Sequence, residues 1–152
     1  MKITNFFKLS QICLELTARD KKEVIEALVK MLIEQGKISK EMFDDVVNAL
    51  TEREAQISTG LGYGVALPHV TTKAVSQIEI AFGRSSKGID FDALDGNVVH
   101  FFFLILAPTK RPKEYLTAIS SISALMKNEK IRHRLLNARS VEEVYKIFEE
   151  GK

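Results

Sequence analysis

The chain has 152 residues, 45% hydrophobic and 28% charged, with 22 basic against 20 acidic side chains and one cysteine, Cys13. This composition excludes wholesale disorder, and the balanced charge excludes nucleic-acid binding driven mainly by electrostatics. A lone cysteine excludes an internal disulfide framework and a cysteine-cluster zinc site, and fits a reducing, cytoplasmic compartment.

The length suits one domain, residues 1–152, with enough surface to bury on folding without covalent staples. The N-terminal stretch MKITNFFKLSQICLEL is moderately apolar, carries Lys8 and lacks a small-residue cleavage signature, so it does not read as a signal peptide. Asp20 to Gln35 reads as a helix. Ile25, Leu28, Val29, Leu32 and Ile33 recur on one face, Asp20 and Glu23 have capping-box spacing, and Gly36 is placed to stop it. A second helix follows, with Ser39 as a candidate cap and Phe43, Val46, Val47 and Leu50 as its stripe. Gly60, Gly62 and Gly64 then fall within five residues, followed by Pro68 and His69.

Ile78 to Phe82 reads as a strand, Gly88 to Phe91 as a short extended piece, and Asp95-Gly96-Asn97 as a turn. Val98 to Ala107 is nearly continuous in apolar residues, which suits a central strand buried on both faces. Its apolar run, ending at Pro108, is far shorter than the roughly 20 residues of a membrane helix. Pro112 fits the first position of a helix whose face is Tyr115, Ile119, Ile122 and Met126. A short helix over Glu129 to Leu136 follows. A last one opens on the capping-box pair Ser140 and Glu143, with Val141, Val144, Tyr145 and Phe148 as its stripe. Helices mixed with strands predict an α/β layered sandwich, a mixed β-sheet flanked by helices. Strand order and direction are not legible.

Three histidines are the places to look for chemistry near neutral pH. His100 opens the apolar run and His133 lies between two arginines; both fit bland settings, and no spacing supports a metal centre. No GxGxxG or GxxxxGK[ST] pattern is present, so no cofactor or nucleotide site of those kinds is expected. His69 differs. It closes a segment whose glycines permit unusual dihedrals and expose N–H groups, and Pro68 presents it rigidly. From the residues alone two readings stay open: a reacting histidine beside an anion-binding loop, or a glycine-rich turn feeding a strand.

The stretch Arg53-Glu54-Ala55-Gln56-Ile57-Ser58-Thr59-Gly60 through His69 resembles the EIIA domains of the bacterial phosphoenolpyruvate-dependent sugar phosphotransferase system. The match is to the fructose/mannitol class, which includes the nitrogen-regulatory EIIA proteins. That pattern reads RE-x₃-STG-[IL]-G-x-G-[IV]-A-[IL]-PH, and every defining position is filled. An Ile89-Asp90-Phe91-Asp92-x-x-Asp95 segment, the Val/Phe strand and a helix extend the resemblance over essentially the whole chain.

The resemblance implies a phosphotransferase component that is phosphorylated on His69 by HPr or an HPr-like carrier and passes the group to an EIIB where one exists. It implies Arg53 as the residue that spreads phosphoryl charge, with Ser58, Thr59 and the N–H groups around Gly60 as further donors. No cofactor, nucleic acid or membrane insertion is expected. Sugar-transporting members usually carry a second histidine where Tyr115 stands, and a small residue often stands in place of Val70. With no EIIB or EIIC sequence fused to the chain, this departure favours a stand-alone, nitrogen-type regulatory EIIA acting on target proteins. The alternatives are a sugar-transport EIIA feeding a separate EIIB, and a binding module that has lost the relay.

Overall fold

The computed structural model describes residues 2–56 and 58–151. Ile57, one of the motif positions, lies outside the described residues, as do Met1 and Lys152. A six-stranded mixed sheet carries helices on both faces. Its strands are β1 (Ile12–Cys13), β2 (Gly60–Gly62), β3 (Val65–Ala66), β4 (His69–Thr71), β5 (Glu79–Ile89) and β6 (Val99–Ala107). The order is β1-β5-β6-β3-β2, with β4 also on β6. β5 runs antiparallel to β6, whereas β3 and β4 both run parallel to it.

The expected central strand is β6, and its alternation sorts the core. Phe101, Phe103 and Ile105 face one layer, and Phe102, Leu104 and Leu106 the other. The first layer is covered by α3 (Pro112–Met126), α4 (Glu129–Asn137) and α5 (Val141–Glu150). Phe82, Phe103 and Phe148 meet there with ring centroids 4.9–5.6 Å apart. Burying each such ring contributes on the order of 1.5–3 kcal/mol. The second layer is covered by α1 (Lys21–Glu34) and α2 (Phe43–Gln56).

The helices follow the apolar stripes, but the caps differ from expectation. Asp20 accepts from the Glu23 N–H at 2.9 Å, yet Glu23 reaches back to the N–H of Arg19 rather than to that of Asp20. Ser140 and Glu143 do the same with Arg139. Ser39 precedes a 3-10 turn, Lys40–Met42, and its hydroxyl bonds Glu41 instead of capping the backbone. The extended piece at Gly88 is not separate: β5 continues through it, with an irregularity in pairing between Arg84 and Ile89.

β3 and β4 are two halves of one strand. Val65 pairs with Phe101, Ala66 with Phe102 and His69 with Ile105, a constant register. Pro68 has no N–H to give, but its carbonyl still accepts from the Ile105 N–H at 2.9 Å. β2 and β3 form a tight hairpin whose turn residues, Tyr63 and Gly64, have φ of 61° and 75°. A two-residue hairpin needs such positive φ.

Arg84 on β5 is buried and ties the sheet to the end of α4. Its guanidinium donates to the carbonyls of Leu135, at 3.0 Å, and Ala138, at 2.5 Å. Glu15 stands 3.6 Å from the other terminal nitrogen. Removing the Arg84 side chain leaves two buried carbonyls without this donor. Arg84→Ala is expected to lower unfolding free energy by about 2–4 kcal/mol, measured by denaturant titration. A loss below about 0.5 kcal/mol, the level of an ordinary surface substitution, would show that the tie is dispensable.

Candidate functional site

His69 is the first residue of β4 and is partly buried. Its Nδ1 lies 2.5 Å from the carbonyl oxygen of Leu67. A carbonyl only accepts, so Nδ1 carries the hydrogen and the lone pair is left on Nε2. Burial pushes the imidazole pKa below its ordinary value. The Leu67 hydrogen bond opposes that shift, the charge of Arg53 adds to it, and the charge of Glu54 opposes it. The site therefore holds a neutral imidazole whose Nε2 has no partner among the described residues, the form that can act as a nucleophile.

Tyr115, on the first turn of α3, packs edge-to-face on this imidazole with ring centroids 5.8 Å apart. Burial pushes its phenol up to about 12, against the opposing charge of Arg53. It remains a neutral hydrogen-bond donor at any physiological pH. Arg53 stands in the last turn of α2, partly buried, and its field reaches both rings. The chain thus gathers His69, Arg53 and Tyr115 from β4, α2 and α3.

Ser58 and Thr59 lie between α2 and the hairpin and Gly60 opens it; the two hydroxyls and the N–H groups of Thr59 and Gly60 are engaged internally. Thr59 gives its N–H to Glu54 at 2.9 Å and its hydroxyl to the same carboxylate at 2.5 Å. Ser58 donates to the Phe91 carbonyl at 2.9 Å and accepts from the Gly60 N–H at 3.0 Å. Gly60 is needed for space: a Cβ there would fall 2.8 Å from Ala93 Cα. Gly62 and Gly64 serve the hairpin through positive φ.

Glu54 is the residue that sequence reasoning passed over. It is 4% exposed, clamps Thr59, and has Lys21 of α1 at 3.8 Å; Lys21 also reaches Asp92 at 3.1 Å. The signal was present, since Glu54 continues the buried face of Val47 and Leu50, where a carboxylate must find partners. His100 is held by the Ser85 carbonyl at 2.8 Å, and His133 is exposed on α4; neither joins the site. Among the described residues no group of His, Cys, Asp and Glu side chains is arranged to hold a metal, and no helix is long and apolar enough to cross a membrane.

Residues 5–151 match the family described as "Phosphoenolpyruvate-dependent sugar phosphotransferase system, EIIA 2". A fructose-specific EIIABC component of Bacillus subtilis is 37% identical over 149 residues, covering 97% of this chain and 23% of that protein. The chain therefore spans under a quarter of that relative's length. A fructose-specific EIIA component of Haloferax volcanii is 35% identical, covering 97% of this chain and 95% of that one. Among solved structures, the nitrogen regulatory protein IIA-Ntr of Neisseria meningitidis superposes with a TM-score of 0.87 at 34% identity, covering 96% and 98% of the two chains. The chain belongs to this EIIA family of the phosphotransferase system. The α/β sandwich and the resemblance read from the motif hold.

The charges around His69 set the direction of its titration. An NMR titration should place its midpoint below the ordinary histidine value of about 6.5. Arg53→Gln should raise that midpoint, and Glu54→Gln should lower it further. The unfolded chain takes the proton near pH 6.5 and the folded chain only below that, so stability should fall as pH drops through the interval between them. A midpoint unmoved by Arg53→Gln would separate the guanidinium from the histidine.

Proposed function

We propose that residues 1–152 form a single EIIA domain that carries a phosphoryl group on Nε2 of His69 in a cytoplasmic phosphotransferase relay. The observation that carries this reading is the imidazole itself, neutral, with Nδ1 committed to Leu67, Nε2 without a partner among the described residues, and the charge of Arg53 acting on the ring. In the proposed step the Nε2 lone pair attacks the phosphorus of a phosphohistidine on HPr or an HPr-like carrier. A new P–N bond forms, the donor's P–N bond breaks, and its electron pair leaves with the donor imidazole.

Such a transfer needs positioning and charge stabilisation more than covalent chemistry. Arg53 supplies a planar fork for two phosphoryl oxygens, and the Tyr115 hydroxyl supplies one neutral donor. Ser58, Thr59 and Gly60 can join by exchanging their internal hydrogen bonds for bonds to phosphoryl oxygens. The reading needs no cofactor. Within it, the chain acts as a nitrogen-type regulator whose two charge states bind target proteins differently. Tyr115, in place of a second imidazole, supports that choice, as does the likeness to IIA-Ntr. A second reading, donation to a separate EIIB in sugar uptake, is favoured by the fructose-specific relatives.

Incubation with phosphoenolpyruvate, Enzyme I and HPr, followed by intact-mass measurement, should show one acid-labile phosphoryl group. His69→Ala should abolish it, and His100→Ala and His133→Ala should retain it. Label persisting in His69→Ala would defeat the assignment, and no label on the wild type would leave a binding module without a relay. Arg53→Lys should slow acceptance about tenfold or more, because it keeps the charge and loses the fork.

Tyr115 decides between the two roles. Tyr115→Phe should change acceptance several-fold at most, the loss of about one hydrogen bond. Tyr115→His should raise transfer to a sugar-type EIIB while leaving acceptance intact. A lowered melting temperature with both half-reactions unchanged would reduce Tyr115 to packing.

A further inference from the structure

Glu79, the first residue of β5, is 6% exposed, yet its carboxylate is poorly partnered. Its two oxygens receive only long amide contacts, from Gln11 at 3.5 Å and Gln77 at 3.4 Å. The Gln11 amide makes its better bond, at 2.9 Å, to the carbonyl of Ile80. Among the described residues no cation stands within ion-pair distance of Glu79. A carboxylate so withdrawn from water ordinarily takes a charged or multiply bonded partner.

This carboxylate lines a cavity of about 340 Å³. Lys8, Lys37 and Arg111 also line it, and Arg111 is paired there with Glu114 at 3.1 Å. A buried carboxylate calls for an ammonium group. Three surrounding cations, only one of them in an ion pair among the described residues, call for an anionic group on the same molecule. The volume lies at the low end of small-molecule cavities, too small for a dinucleotide or a folded peptide.

We propose that this cavity binds a small zwitterion, an α-amino acid, with its ammonium at Glu79 and its carboxylate among Lys8, Lys37 and Arg111. The cavity is separate from the His69 site but adjoins it. Glu79 and Val70 pair with Leu106 from opposite sides of β6, and Arg111 is the N-cap of α3, whose first turn holds both Glu114 and Tyr115. A bound amino acid would thus touch the turn that seats Tyr115 against His69.

The test is thermal melting and calorimetric titration of the full chain against the proteinogenic α-amino acids, with putrescine and succinate as single-sign controls. Neither measurement needs HPr or phosphoryl transfer, so its failure is distinct from failure of the relay. At least one amino acid should raise the melting temperature and titrate saturably, while the two controls bind more weakly. Glu79→Gln should weaken that binding about tenfold or more, the scale of one charge-assisted hydrogen bond. The paired change Lys8→Ala with Arg111→Ala, at exposed positions, should weaken it as well and decides the matter if Glu79→Gln does not fold. Absence of binding by every amino acid would overturn the proposal. So would binding that survives both variants, or putrescine binding equal to that of the amino acid.

Discussion

The site depends on one pairing, that of residues 65–71 with β6. β6 is buried on both faces, so its position is set by two cores at once. The strand beside it is interrupted at Pro68 but keeps a constant register across the break. The Leu67 carbonyl meets the imidazole two residues on, while Pro68 and His69 remain tied to Ile105. The histidine therefore hangs from a rigid strand rather than a mobile loop. Its tautomer is set by backbone, the least adjustable partner available. Little ordering is left for a reaction to complete.

Electrostatics at this point is a balance of opposed charges. Burial and Arg53 favour the neutral imidazole, whereas Glu54 and the Leu67 carbonyl favour the cation. Glu54 does not face the site as a base, because both of its oxygens are taken by Thr59. Its charge is held a residue away from Arg53 and anchored by Lys21, which in turn bonds Asp92 and lies over the Phe91 ring. The same carboxylate thus fixes the loop ahead of the hairpin and offsets the field of the arginine. A neutral replacement at position 54 would disturb both the geometry and the charge.

Helices and β6 were legible because each has an apolar pattern of its own: stripes on α1, α2, α3 and α5, and an unbroken run on β6. β1 to β4 were not. Each has only two or three residues, and such strands are made by the partner they pair with rather than by their own alternation. The acidic residues at 23 and 143 were read as capping-box partners from spacing, but spacing does not say which N–H a flexible carboxylate will choose. His69 stood out through the glycines and Pro68. Arg53 and Tyr115 came through the family pattern, since their closeness to His69 depends on how α2 and α3 end and begin. Glu79 gave no sign, because an acidic residue in a strand reads as an exposed edge until the sheet is assembled around it.

The glycine segment looks like an anion cradle and is built mainly as a fold element. Gly62 and Gly64 turn the hairpin, Gly60 makes room for Ala93, and the hydroxyls of Ser58 and Thr59 and the N–H groups of Thr59 and Gly60 already have acceptors. A phosphoryl group drawing on these donors would first have to break good hydrogen bonds, and the net gain from exchanging one for another is small. Arg53 and Tyr115 differ in kind. They reach the imidazole from helices on opposite faces of the sheet, and neither belongs to the loop that the glycines shape. In the proposed reaction, then, charge stabilisation falls mainly to one guanidinium and one neutral phenol. In that reading these two groups serve acceptance of the phosphoryl group, and Tyr115 stands where a second imidazole would help to send it on.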